Sequence, residues 1–394
     1  MHIISLMIKA LENDFDAVHK LAEYWSAEGR EDFAVSWLSF AAEKNDDVAM
    51  YLLGVKYTDE NSPVYNLAKG NAILANSAYL GNNTARLYFA RHIFKSAPEK
   101  LYERAVKMLL DALDDGVDEA KDELEKFFGG LIGEDDAPVW KSTVPFDLFK
   151  KAADMGIINA IEICSLVLFG NNEYVSFDED YTDFELASDY VVKGAQNRTP
   201  ISCLIYCQMV MSLLEQDSSD EDELLEIAEK CKLMREIKDT VLERFDFSGK
   251  YLEFYALYSF LLFKVHLCEK QKGNTTDAKL YATLAKAVYM TEPDVYDYDK
   301  NKGIAFTEAV IASSGMKMTD EEAKLFKRIL DDSVNSESSI LTDRHILCYV
   351  GYVVLVCESA DDEMLSSARG FLSLYSKKDS EEYSMLENAL NEKI

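Results

Sequence analysis

Acid–base or metal chemistry would start from the five histidines of this chain, His2, His19, His92, His266 and His345. None of them forms an H-E-x-x-H motif, and none lies at a closed zinc spacing from another histidine or a cysteine. No P-loop, G-x-G-x-x-G or G-x-S-x-G motif occurs, and Gly129-Gly130 is followed by no phosphate-binding residues. The seven cysteines are odd in number, make no C-x-x-C, and sit mostly inside apolar helical patterns, as buried thiols of a reducing compartment do. The expectation is a chain with no catalytic residues, no cofactor and no resident metal.

Oxygen ligands come closer to a site. Asp297, Asp299, Asn301 and Glu308 stand at positions one, three, five and twelve of a calcium-binding loop, with Ile304 at position eight. Lys302 fills the position that needs glycine for the sharp turn, Gly303 comes one residue late, and Pro293 interrupts the incoming helix. These departures favour a polar loop that opens a helix, with calcium as the alternative. The acidic run from Glu173 to Asp189 contains no basic residue, and Tyr174, Phe177, Tyr181 and Phe184 interleave it. Carboxylates mixed with aromatic anchors suit a basic partner surface and speed its capture. The candidate partner-binding residues are therefore Asp178, Glu179, Asp180, Tyr181, Asp183 and Phe184. Asp135 and Asp136 from an earlier acidic connection join them. The competing interpretation is a solvated loop.

The elements that must position these residues are helices. Pro is scarce at 6 and Gly modest at 17, so few segments are forced out of helix, and 48% apolar content supports a sizeable core. Small residues recur at Ala17, Ala49, Ala85, Ala120, Ala160 and Ser202, in steps of 32, 36, 35, 40 and 42 residues. Five residues after most of them stands a second small residue: Ala22, Gly54, Ala90, Ser165 and Cys207. A second series, Ala42, Ala78, Leu113, Ala153 and Ala195, is followed three residues later by Asn45, Gly81, Gly116, Gly156 and Arg198. Such a period, built from two helical stretches, predicts an α-solenoid of antiparallel helix pairs. Phe15–Ala27 pairs with Glu31–Lys44, Asp47–Tyr57 with Leu67–Leu80, and Thr84–Lys95 with Glu99–Asp115. Asp118–Phe128 then pairs with Pro145–Met155, and Ile158–Phe169 with Phe184–Gln196, each across a long connection. Insertions of that kind collect on one face of a solenoid, often the binding face. The register decays near residue 200, so residues 1–200 are expected to form the repeat region and 201–394 a divergent helical repeat region continuous with it. Ile346–Cys357 is rich in β-branched residues and tyrosine, which favour strand, but lacks a strand partner and is expected to be helix.

The net charge of −30 disfavours direct contact with nucleic acid or an anionic membrane, because no basic stripe offsets it. The apolar start, Met1 to Ala10, lacks a cationic region and cleavage site, and Tyr251 to Leu267 is too short and too interrupted to span a bilayer. The expected location is the cytoplasm.

Ala49-Met50-Tyr51-Leu52-Leu53-Gly54 as a first helix and Ala34-Val35-Ser36-Trp37-Leu38-Ser39-Phe40-Ala41-Ala42 as a second resemble Sel1-like repeats, relatives of tetratricopeptide repeats. Phe149-Lys150-Lys151-Ala152-Ala153-Asp154-Met155-Gly156 is a further second-helix ending of this type. The resemblance covers about residues 15–200. Glu125 departs from it, standing where the fourth repeat should carry its second small residue. The resemblance implies a protein-binding adaptor with no activity of its own. The family includes secreted factors, signalling adaptors and immunity proteins. Three classes stay open: a scaffold for a protein partner, an inhibitor of a basic toxin such as a nuclease, and an enzyme whose site lies in the C-terminal half around His266 or His345.

Overall fold

The structure is a computed structural model that describes residues 3–96, 98–132, 139–171, 174–216, 218–292, 294–298, 302–335 and 341–393. The chain divides into two compact units, Met1–Ser202 and Cys203–Ile394. The first holds Ile3–Leu11 (α1), Phe15–Ala27 (α2), Glu31–Ala42 (α3), Asp47–Thr58 (α4), Leu67–Tyr79 (α5) and Asn83–Ser96 (α6). Tyr102–Asp114 (α7), Glu119–Gly129 (α8), Phe146–Asp154 (α9), Ile158–Leu168 (α10) and Phe184–Gln196 (α11) follow, and Pro200–Leu214 (α12) carries the unit boundary. Through α8 each helix packs on its successor in the chain. Alternate helices also touch, α2 on α4, α6 on α8, α7 on α9 and α8 on α10. This is the stacking of helix pairs that the repeat spacing predicts. The helix α1 was not anticipated; its Ala10 closes the end of the first core.

The recurring small residues are the seam of that stack. Ala17, Ala49, Ala85, Ala120, Ala160 and Ser202 are all at 2% exposure or less. A Cβ on Gly54 would fall 2.5 Å from Leu74 Cγ, so α4 and α5 approach more closely than any side chain would allow. The helix starts are capped by short polar side chains. Asp14 accepts from Ala17 N at 3.1 Å, Asp46 from Ala49 N at 2.6 Å and Asn82 from Ala85 N at 2.8 Å. The helix ends follow from the second series. Asn45, Gly81, Gly116, Gly156 and Arg198 all adopt left-handed backbone, with φ of 63°, 100°, 84°, 82° and 60°. At each, the amide bonds back three residues and the next amide five, as in Gly156 N to Ala153 O and Ile157 N to Ala152 O, both 3.0 Å.

The second unit is also helical. It contains Glu221–Glu236 (α13), Lys238–Arg244 (α14), Ser248–Lys272 (α15), Thr275–Tyr289 (α16), Val295–Tyr298 (α17), Gly303–Ser313 (α18) and Asp320–Asn335 (α19). Asp343–Gly351 (α20), Asp362–Ser373 (α21) and Glu381–Lys393 (α22) complete it. Thr319 and Glu322 cap α19 reciprocally, Glu322 N on Thr319 Oγ1 at 3.2 Å and Thr319 N on Glu322 Oε2 at 2.9 Å. α16 starts at Thr275 with Asp277 in its first turn, and Asn274 before it makes no side-chain cap bond. The segment Ile346–Cys357 is helical, and its last turn widens to π geometry over Tyr352–Val356, with Cys357 N bonding to Tyr352 O at 2.8 Å. Strand propensity loses there because a helix satisfies its own backbone inside a core. Among the described residues no helix is long and apolar enough to cross a membrane.

Candidate functional site

The two long connections of the first unit, between α8 and α9 and between α10 and α11, meet each other. Trp140–Lys141 (β1) pairs in parallel with Val175–Ser176 (β2). Trp140 N donates to Tyr174 O and Ser142 N to Ser176 O, both at 2.9 Å. The pairing was not legible beforehand, since two residues show no periodicity. Apolar side chains fasten the second loop from beneath. Val175 is 2% exposed, and Phe177 packs on Phe149 with ring centroids 5.3 Å apart. Tyr181 lies on Phe146 at 4.7 Å and Phe177 at 5.6 Å.

The predicted acidic residues divide by role. Asp178 and Glu179 are solvent-facing. Asp178 meets Lys141 Nζ of the other loop at 2.7 Å, with both side chains more than 70% exposed, so the pair contributes little stability. Glu179 accepts from Tyr181 OH at 3.2 Å. Asp180 accepts from Thr182 N at 2.9 Å and Thr182 Oγ1 at 2.6 Å, and those bonds hold its carboxyl below the usual range. Asp183 is the N-cap of α11, accepting from Leu186 N at 3.1 Å. Asp180 and Asp183 thus shape the loop. Phe184 is 63% exposed and touches only the edge of Phe169 among the aromatic rings described, at 5.8 Å. Asp135 and Asp136 lie outside the described residues.

One group was missed in the sequence. Phe94, Tyr102, Phe127 and Trp140 form a half-buried four-ring cluster around the start of the bridge. Phe94 and Phe127 stack at 4.4 Å and 17°, while Tyr102 meets both edge-on at 5.6 Å. Trp140 closes the cluster, 6.3 Å from Phe127 and 6.5 Å from Tyr102. The available signal was a tryptophan, Trp140, inside the connection between α8 and α9.

Glu125, the departure from the repeat pattern, has a structural role. Its carboxylate accepts from Ile158 N at 2.6 Å and Asn159 N at 3.0 Å, capping α10 from the preceding repeat. Glu162 does the same one repeat later, accepting from Ile201 N at 2.9 Å.

The histidines named for an enzyme reading are enclosed. His266 Nδ1 donates to Ala278 O at 2.6 Å, and the ring is 5% exposed. His345 is 3% exposed; Thr342 Oγ1 holds its Nδ1 at 2.7 Å, and Glu308 Oε1 lies 3.3 Å from its Nε2 without a formed hydrogen bond. Burial pushes its pKa below the ordinary value despite Glu308. A histidine beside a carboxylate is an acid–base pair in kind, yet at this exposure no substrate atom reaches it. Of the calcium-loop residues, Asp299 and Asn301 lie outside the described residues. Asp297 falls in α17, and Glu308 is engaged by Arg344 at 3.1 Å. Burial raises the thiols of Cys207 and Cys348 to about 11, which removes nucleophilic thiolate at neutral pH. A concavity of about 440 Å³ spans α2 to α4, but its His19 and Lys56 already pair with Asp46 and Glu31, each at 2.8 Å.

No family model and no curated protein matches the chain. Among solved structures it is similar to a protective antigen present in uropathogenic Escherichia coli strains, which displays an SLR fold. The identity is 13% and the TM-score 0.29, over 100% of this chain and 91% of that one. It is also similar to a Sel1 repeat protein from Oxalobacter formigenes, at 14% identity and TM-score 0.25, over 98% of this chain and 90% of that one. The description as an all-α stack of antiparallel helix pairs stands on this chain's own helix pairing, its seam of small residues and its left-handed helix ends.

Proposed function

We propose that this chain is a cytoplasmic, non-enzymatic scaffold that binds another protein, and that the partner is basic. The observation that carries the reading is the loop pair of the first unit. Two neighbouring insertions, tied by a parallel bridge, set Trp140 against Phe94 of α6, Tyr102 of α7 and Phe127 of α8 in a half-open cluster, and carry the exposed carboxylates Asp178 and Glu179. Tryptophan and tyrosine in a partly desolvated patch supply binding energy, while a carboxylate rim supplies rate and selectivity for positive charge. The net charge of −30 adds long-range attraction for the same partner.

Affinity capture from the native cells tests this. Wild type should retain a stoichiometric basic protein at low salt and release it at high salt. Trp140→Ala should lose most of it, and Asp178→Asn with Glu179→Gln should slow its capture. Asp180 and Asp183 are left intact because they hold the loop. Absence of any stoichiometric protein partner would defeat the reading, as would equal retention by the Trp140 variant.

A further inference from the structure

We propose that β1 offers its open edge to an extended segment of the partner protein, which adds a third strand to the β1–β2 ladder. The proposal rests on the reading of the loop pair as a protein-binding face and supplies its mode of recognition. Successive residues of a strand direct their N–H and C=O to opposite edges. Trp140 N and Ser142 N both donate across to the second loop, at 2.9 Å. The N–H and C=O of Lys141 between them therefore face away from β2, and among the described residues no backbone group meets them. Lys141 is exposed, and its ammonium is drawn across to Asp178 of the second loop at 2.7 Å. The other strand has no such freedom: Val175 is 2% exposed and β2 lies against α10. An unpaired edge is a template for a strand of another chain.

The register of the bridge fixes the chemistry of the added segment. Trp140 and its partner Val175 share the inner face of the ladder, and Lys141 and Ser176 share the outer one. Every second side chain of a third strand falls on the inner face, beside Trp140, whose ring lies 6.3 Å from Phe127 and 6.5 Å from Tyr102. Those positions take apolar side chains, and the ones between them stay in water. The net charge of −30 favours basic residues at the watered positions. The recognised segment is thus extended, with apolar and basic residues in alternation. Its backbone supplies hydrogen bonds and its inner side chains selectivity, as in strand addition generally. A partner helix satisfies its own backbone and would leave the Lys141 groups unused.

The probe is an end-capped octapeptide of alternating lysine and valine, titrated calorimetrically into the full chain at low ionic strength. It should bind saturably at one equivalent. Lys141→Pro deletes the outward N–H and no bond of the bridge, so it should weaken the peptide at least tenfold. Lys141→Ala keeps the amide and should bind within threefold of wild type. N-methylation of the peptide at its valines blocks one of its edges, and at its lysines the other. One methylated form should lose binding at least tenfold and the other should keep it. Should Lys141→Pro lose its circular dichroism spectrum, the methylated peptides carry the test. Lack of saturable binding by wild type overturns the proposal. So does equal binding by folded Lys141→Pro and Lys141→Ala, or by the two methylated peptides. The protein-binding reading is decided separately, by whether Trp140→Ala releases the protein captured from the native cells.

Discussion

Arg198 holds a backbone conformation, φ 60°, that its equivalents Gly81, Gly116 and Gly156 reach without a Cβ in the way. Arg198→Gly should therefore stabilise the chain by about 0.5–1 kcal/mol, and Gly156→Ala should destabilise it by about 1 kcal/mol, both read from denaturant midpoints. A rise in stability for Gly156→Ala would contradict the account of the helix ends. The fixed offset of these residues from Ala42, Ala78, Leu113, Ala153 and Ala195 was visible in sequence because helix ends have local chemistry. Glu125 was visible only as an exception, because its partners, the amides of Ile158 and Asn159, lie 33 and 34 residues away. Glu125→Ala should cost about 1 kcal/mol, the usual loss for a cap. His345 gives a pH signature. Its folded pKa is depressed by burial, with Glu308 and Arg344 as the charged neighbours. Above pH ~6.5 the ring is neutral in both states, and as pH falls below that value the unfolded chain takes the proton first, so stability declines. His345→Gln should flatten that slope in urea titrations between about pH 7 and 5.

Among the elements, boundaries set by caps and glycines were readable, and Phe15–Ala27 and Phe184–Gln196 occupy the spans their sequences predict. Contacts between connections were not readable. The β1–β2 bridge joins segments 35 residues apart through two residues each, and the rings of Phe177 and Tyr181, read as partner anchors, lie against Phe146 within the unit's own packing. The closeness of α4 and α5 makes its own prediction. Gly54→Ala drives a methyl group into Leu74 and should destabilise by about 1–3 kcal/mol, measured by thermal or chemical unfolding. A neutral result would mean the two helices can separate freely, contrary to a seam closed by small residues.

For the molecule as a whole, acidic side chains outnumber basic ones, 71 against 41, and the proposed basic partner follows that excess. On the proposed reading, association with a basic partner should slow steeply as ionic strength rises, and dissociation should depend on the half-buried rings. The most direct measurement is hydrogen exchange of the full chain with and without the protein it captures. The account predicts new amide protection concentrated at residues 139–144 and 174–184, where the paired loops carry Trp140 and the Asp178–Glu179 rim. Protection confined to the groove of α2 to α4 or to residues 203–394, with those loops exchanging as before, would contradict it.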